Sequence, residues 1–217
     1  MNTLLNSLWI VLSYLLGAIP FGFLISKYSK NIDIRKVGRK QIGASNVYHT
    51  VGHLEGALTG VLDVAKGWIV VFLAQKFHFP ISIQLFSGLV AIIGHNWPIY
   101  LNFFGGRGVA TTLGATLALN PIIFFYSAIP LAVIGIIWDG APATILFLVA
   151  YFILADYKHE PKIFSVFIIF VFVIILLKRI SIIKEDLLQK KLSFSLVLNR
   201  LIFDRAEGIK NFRWTKK

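Results

Sequence analysis

The sequence predicts an all-α, polytopic membrane protein with about seven transmembrane helices, its N-terminus outside and its C-terminus cytoplasmic. Three observations carry that expectation. Hydrophobic residues make up 57% of the 217 positions, and the mean hydropathy of +0.75 lies well above that of soluble domains. The apolar residues fall into seven segments, near 3–26, 54–75, 83–101, 109–119, 121–138, 142–155 and 161–177, and a spanning helix needs about 20 of them. Finally, 17 of the 22 Lys and Arg lie in just two stretches, 27–40 and 178–217; basic segments beside spans stay cytoplasmic.

The segments follow one another with short connections. The first has no basic residue before its apolar core, unlike a cleavable signal, so it reads as a spanning helix. The loop 27–53 carries Lys27, Lys30, Arg35, Lys36, Arg39 and Lys40. In the second segment Gly56 and Gly60 form a GxxxG suited to close helix packing. Asp63 and Lys66 lie within it at i, i+3 on one face. Charges inside a span are either a functional site or a structural ion pair. Pro121 and Pro142 open the fifth and sixth segments, where proline fits a helix start. The fourth and sixth are too short to span alone, which points to tilting or burial. An odd count of spans puts the two ends on opposite sides. Residues 1–181 read as one membrane domain, and 182–217 as a basic cytoplasmic tail whose mix of Leu, Ile, Phe and Trp214 with Lys and Arg suggests an amphipathic helix lying on the membrane.

Composition also excludes chemistry. There is no cysteine, so thiolate catalysis, disulfides and Cys-ligated metals are out. No metal or cofactor is expected. The basic tail has no recognisable nucleic-acid-binding fold beside it, so nucleic acid is not an expected partner; membrane lipids are. The chain gives no reading of its oligomeric state.

The stretch most suited to chemistry is "GHNWPIYLNFFGGRGVATTLG", residues 94–114. Gly105, Gly106 and Gly108 let backbone amides approach an anion. The helix that follows points its positive end at the same place. Arg107 adds a planar, two-pronged donor suited to phosphate, and Thr111 and Thr112 bring hydroxyls. A second glycine-containing loop, "VGRKQIGASNV" at 37–47, lies in the same layer. His95 has two readings, a general base or a hydrogen-bonding brace. No carboxylate sits beside it in sequence to orient it, which favours the brace.

These stretches resemble a family. "GHNWPIYLNFFGGRGVAT" is similar to the signature GHxxPxFxxFxGGKGVAT of the bacterial acyl-phosphate-dependent glycerol-3-phosphate acyltransferases. "GAIPFG" at 17–22, "DIRKVG" at 33–38, "IGASN" at 42–46 and "LDVAKG" at 62–67 match further family motifs, in order. The resemblance implies seven spans, residence in the bacterial cytoplasmic (inner) membrane, and transfer of an acyl chain from acyl phosphate to glycerol 3-phosphate, giving lysophosphatidate and phosphate. It implies a catalytic set of Arg107, Asn46 and His95. Gly105, Gly106, Gly108, Ser45, Arg39, Lys40, Gln41, Arg179 and Ser181 would bind the substrates, with Asp63 and Lys66 as an embedded pair. The chain departs from the pattern at several of these. Arg39, Lys40 and Gln41 stand where the family has Ser-Gly-Asn, and Arg107 stands for the lysine. After the last helix, Lys178, Arg179, Ile180 and Ser181 replace His-Arg-x-Asn. Those departures keep a second class open, a re-purposed paralogue binding lipid phosphate or a partner. Asp63 and Lys66 keep open a third, a transporter of a phosphorylated solute, which the missing internal repeat disfavours.

Overall fold

A computed structural model describes residues 3–137, 140–187 and 194–203. Every regular element among them is helical. The first apolar segment is two helices, α1 (Thr3–Ala18) and α2 (Phe21–Lys30). Proline 20 divides them, because its ring has no N–H and clashes with the carbonyl four residues back. The basic loop holds a short helix that hydropathy does not mark, α3 (Ala44–Thr50). Then come α4 (His53–Lys76) and α5 (Ile81–Asn96). The third apolar segment reaches 101 in sequence, yet α5 stops at Asn96. Trp97 precedes Pro98, and a residue before proline is pushed out of helical geometry. A 3-10 turn, Ile99–Leu101, follows. The remaining helices are α6 (Val109–Leu119), α7 (Pro121–Ile137), α8 (Gly140–Tyr157), α9 (Lys162–Leu187) and α10 (Phe194–Phe203).

Four helical stretches among the described residues are long and apolar enough to cross a membrane: Thr3–Lys30, His53–Lys76, Gly140–Tyr157 and Lys162–Ser181. The sixth apolar segment, expected to be too short, belongs to this group, because α8 extends it at both ends to 18 residues. In contrast, α6 has 11 residues. At 1.5 Å per residue it covers about 16 Å of a hydrocarbon layer about 30 Å thick. It is an inner element, surrounded by longer ones.

Close backbone approach seats it. A Cβ on Gly67 of α4 would strike the Thr111 carbonyl of α6, and one on Gly114 of α6 would strike the Val64 carbonyl of α4. Small residues on both helices let the backbones touch, the usual way helices associate without a hydrophobic drive. The expected GxxxG acts elsewhere: Gly56 lies against the Tyr48 backbone of α3, so it packs the short loop helix onto α4. The main core, with Val71, Ile92, Phe147, Tyr151, Phe167 and Val171, joins α4, α5, α8 and α9. A second cluster, Ile34, Ile42, Val47, Val51 and Leu101, packs the basic loop onto the 3-10 turn. That cluster brings the two glycine-containing loops to one end of the molecule.

Helix α9 runs through Ser181 to Leu187, and α10 turns back to pack on α9 and α8. The part of the expected tail at 188–193 and 204–217 lies outside the described residues.

Candidate functional site

The site forms where α5 ends and α6 begins. After Pro98 the chain folds back on itself. The Phe103 amide donates to the Pro98 carbonyl at 2.9 Å, and the Gly106 amide donates to the His95 carbonyl at 3.1 Å. Asn102 and Phe103 both take left-handed geometry, with φ of 51° and 65°. The glycines fit this loop against the end of α5. A Cβ on Gly105 would strike the His95 and Asn96 carbonyls, and one on Gly106 would strike His95 Nε2. Gly108 has φ of 75°, which side chains disfavour. This corrects one expectation. The Gly106 amide is engaged with His95 and does not face an incoming anion. The donors left at the loop's end are the first amides of α6, which have no intrahelical partner. Gly108 is the N-cap of α6, and no side chain caps the helix.

Unpartnered polar groups collect at that helix end. Asn96 is fully buried, and neither its carboxamide oxygen nor its nitrogen has a hydrogen-bond partner. Its Oδ1 lies beside Gly108. The Thr111 and Thr112 hydroxyls are likewise buried and without partners. A buried polar group in that condition costs about 1–3 kcal/mol. Three such residues, Asn96, Thr111 and Thr112, gather around one helix N-terminus. Arg107, half-buried, sits one residue before the helix cap.

A charged cluster backs the loop. Asp63 Oδ1 lies 2.9 Å from Lys66 Nζ and 3.4 Å from His95 Nδ1; all three residues are buried. Lys66 Nζ also donates to the Ile19 carbonyl at 2.9 Å, at the break between α1 and α2. The orienting carboxylate that His95 lacks in sequence is therefore supplied by α4. His95 turns its Nδ1 to Asp63 and its Nε2 to Gly106, and ties the charged cluster to the glycine loop. From α9, buried Lys178 donates to the Asn96 carbonyl at 2.7 Å and stands over the Trp97 ring at 5.3 Å.

The other expected residues are placed differently. Asn46 is buried, and its carboxamide organises its own loop. Nδ2 donates to the Val37 and Gln41 carbonyls at 3.1 and 2.8 Å, and Oδ1 accepts from the Arg39 amide at 2.8 Å. That set of bonds describes a loop brace. Ser45 is exposed on α3, Gln41 is half-buried, and Ser181 is exposed, donating to the Lys178 carbonyl. Lys40 holds φ of 52°, a left-handed backbone at the position where the resembling family has glycine. Arg179 is fully buried, and two of its nitrogens donate to backbone carbonyls, Leu201 on α10 and Ala141 on α8. Its neighbour Lys178 is the α9 cation that reaches the site. In the loop, Arg35 grips Asp33 with two nitrogens at 2.9 Å each, and this bond holds the Asp33 carboxyl below its usual range.

Sequence reasoning did not single out Asn96, and it named Lys178 only as a departure from the family's histidine. Asn96 sits at a variable position of the motif. Lys178 reads as one more cation following a span, and its reach to Asn96 is set by tertiary packing.

Comparison with known proteins agrees with the resemblance. The family described as Glycerol-3-phosphate acyltransferase matches residues 7–188. A protein of Dehalococcoides mccartyi named glycerol-3-phosphate acyltransferase 5 is 32% identical over 201 residues, covering 90% of this chain and 86% of the relative. Two crystal structures of PlsY, an integral membrane glycerol 3-phosphate acyltransferase, share the fold. Its glycerol 3-phosphate form aligns with a TM-score of 0.75 at 30% identity, over 87% of this chain and 95% of the other. Its lysophosphatidic acid form aligns at 0.73 and 28%, over 89% and 98%.

Proposed function

The chain belongs to the glycerol-3-phosphate acyltransferase family, and from that membership we propose how its geometry performs the reaction. The protein is a membrane acyltransferase that esterifies glycerol 3-phosphate, an early step of phospholipid synthesis. The donor in this reading is acyl phosphate. The 1-hydroxyl oxygen of glycerol 3-phosphate attacks the acyl carbonyl carbon, the bond from that carbon to the phosphate oxygen breaks, and inorganic phosphate leaves. The hydroxyl proton passes to the departing phosphate, so no covalent enzyme intermediate and no separate base are required. Most of the rate then comes from holding two anionic reactants in line and stabilising the charge that develops on the carbonyl oxygen.

The observation that carries this reading is the gathering of Asn96, Thr111 and Thr112, buried and unpartnered, at the uncapped start of α6. Arg107 and the first amides of α6 hold a phosphate there. Asn96 and the threonine hydroxyls supply uncharged donors to the same guest. Asp63, Lys66 and His95 keep the loop in place. The basic loop, with Arg39 and Lys40, draws in the polar substrate. The acyl chain enters between helices from the bilayer. The same reading makes seven spans, places the N-terminus outside and both basic segments in the cytoplasm, and locates the protein in the bacterial inner membrane.

Two substitutions test the site. Arg107→Ala removes a charge-assisted bond worth about 1.5–3 kcal/mol, so kcat/KM for glycerol 3-phosphate is expected to fall by roughly tenfold to over a hundredfold. Arg107→Lys should retain more, although a point charge does not reproduce a two-pronged contact. Asn96→Leu replaces an unpartnered buried amide with a similar apolar volume. It should leave the fold as stable or more so, while raising KM. If Arg107 is only a charge snorkelling to the interface, Arg107→Ala leaves the kinetics of the folded protein unchanged, and the cradle reading fails.

A further inference from the structure

We propose that α10 lies in the surface of the bilayer, its Leu198–Ile202 face among the acyl chains, and that anionic phospholipids favour this placement. The first argument is its level. Arg179 is buried to 1% exposure and bonds both the Leu201 carbonyl of α10 and the Ala141 carbonyl. Ala141 is the second residue of α8, and Arg179 lies just past the apolar run of α9. One span begins and another ends at this plane, where hydrocarbon gives way to water. The guanidinium holds α10 to that plane.

The second argument is the face. Leu198 and Ile202 are 40% and 39% exposed and, four residues apart, share one side of the helix. On α9 at the same end, Leu177 and Ile180 are 51% and 46% exposed. Both helices therefore present exposed apolar side chains. The third argument is charge. Past the buried Lys178 and Arg179, residues 182–217 hold nine Lys and Arg against four acids, Glu185, Asp186, Asp204 and Glu207. Such a segment beside an apolar helix suits an anionic lipid surface. A second copy of the chain would bring like charge against like, which disfavours self-association through this face.

The chain has no native cysteine, which makes the test direct. Ile202→Cys and Leu198→Cys variants of the full chain carry a bimane label, with Lys36→Cys on the exposed basic loop as the aqueous control. Each is reconstituted in phosphatidylcholine vesicles with and without phosphatidylglycerol. Labels at 198 and 202 are expected to be quenched by shallow spin-labelled lipid and shielded from iodide, the control the reverse. Phosphatidylglycerol should strengthen the partition of α10 into lipid by at least about fivefold, the effect of one basic residue at the surface, and high salt should remove that gain. Iodide quenching equal to that of the control overturns the proposal. So does shielding that is the same with and without phosphatidylglycerol. Shielding from both quenchers would mean that protein covers α10, and would overturn it too.

Discussion

At the residue scale, the chain carries one backbone oddity in its basic loop. Lys40 occupies left-handed geometry at φ of 52°, which costs a side-chain-bearing residue about 1–2 kcal/mol relative to glycine. Lys40→Gly should therefore raise the thermal midpoint by a few degrees in a scan of the purified protein, and no rise would contradict the strain. The charged cluster behaves as a unit. Asp63→Ala leaves Lys66 buried without its anion, and breaking a buried pair costs about 3–5 kcal/mol. The double variant Asp63→Leu/Lys66→Leu should lose less stability than Asp63→Ala alone; an equal or larger loss would show that the two charges act independently. The glycine loop and its arginine are legible as a motif because their chemistry is local. The pairing of Asp63 with His95 is not, because the two residues meet only when α4 packs beside α5. Asn46 misleads for a related reason. An amide in a basic loop suggests a ligand-holder, and only the folded loop reveals that its own carbonyls take up the side chain.

At the element scale, hydropathy locates the apolar helices because burial in lipid needs long apolar runs. It does not locate α3, seven residues in a polar loop, or the break at Pro20, where the apolar character continues while the hydrogen-bond ladder stops. Proline is the visible signal in both places where a segment is cut short, before α2 and after α5. Seating α6 against α4 depends on bare backbone. Gly114→Ala forces a Cβ into the Val64 carbonyl and should cost several kcal/mol or prevent recovery of folded protein. Gly60→Ala, where the nearest atom is the Ala44 Cβ at 3.5 Å, should be tolerated. Size-exclusion profiles and thermal midpoints of the two variants compare these outcomes, and equal behaviour would contradict the packing described.

At the scale of the whole molecule, long helices pack around the short α6, and the proposed topology puts both basic segments on one side of the membrane. With no native cysteine, Lys40→Cys and Lys190→Cys can be labelled in intact cells. Both should resist an impermeant reagent and react after permeabilisation; a cysteine at 190 that reacts while one at 40 does not would break the odd-span arrangement. The proposed function gives this architecture one task, to hold a phosphate-bearing donor and acceptor together where α6 begins. The most direct measurement of that claim is turnover by the wild-type protein in proteoliposomes, given palmitoyl phosphate or palmitoyl-CoA with glycerol 3-phosphate. The expected result is lysophosphatidate and inorganic phosphate in equal amounts from palmitoyl phosphate and no product from palmitoyl-CoA. Tight binding of glycerol 3-phosphate without product, or product from palmitoyl-CoA alone, would contradict it.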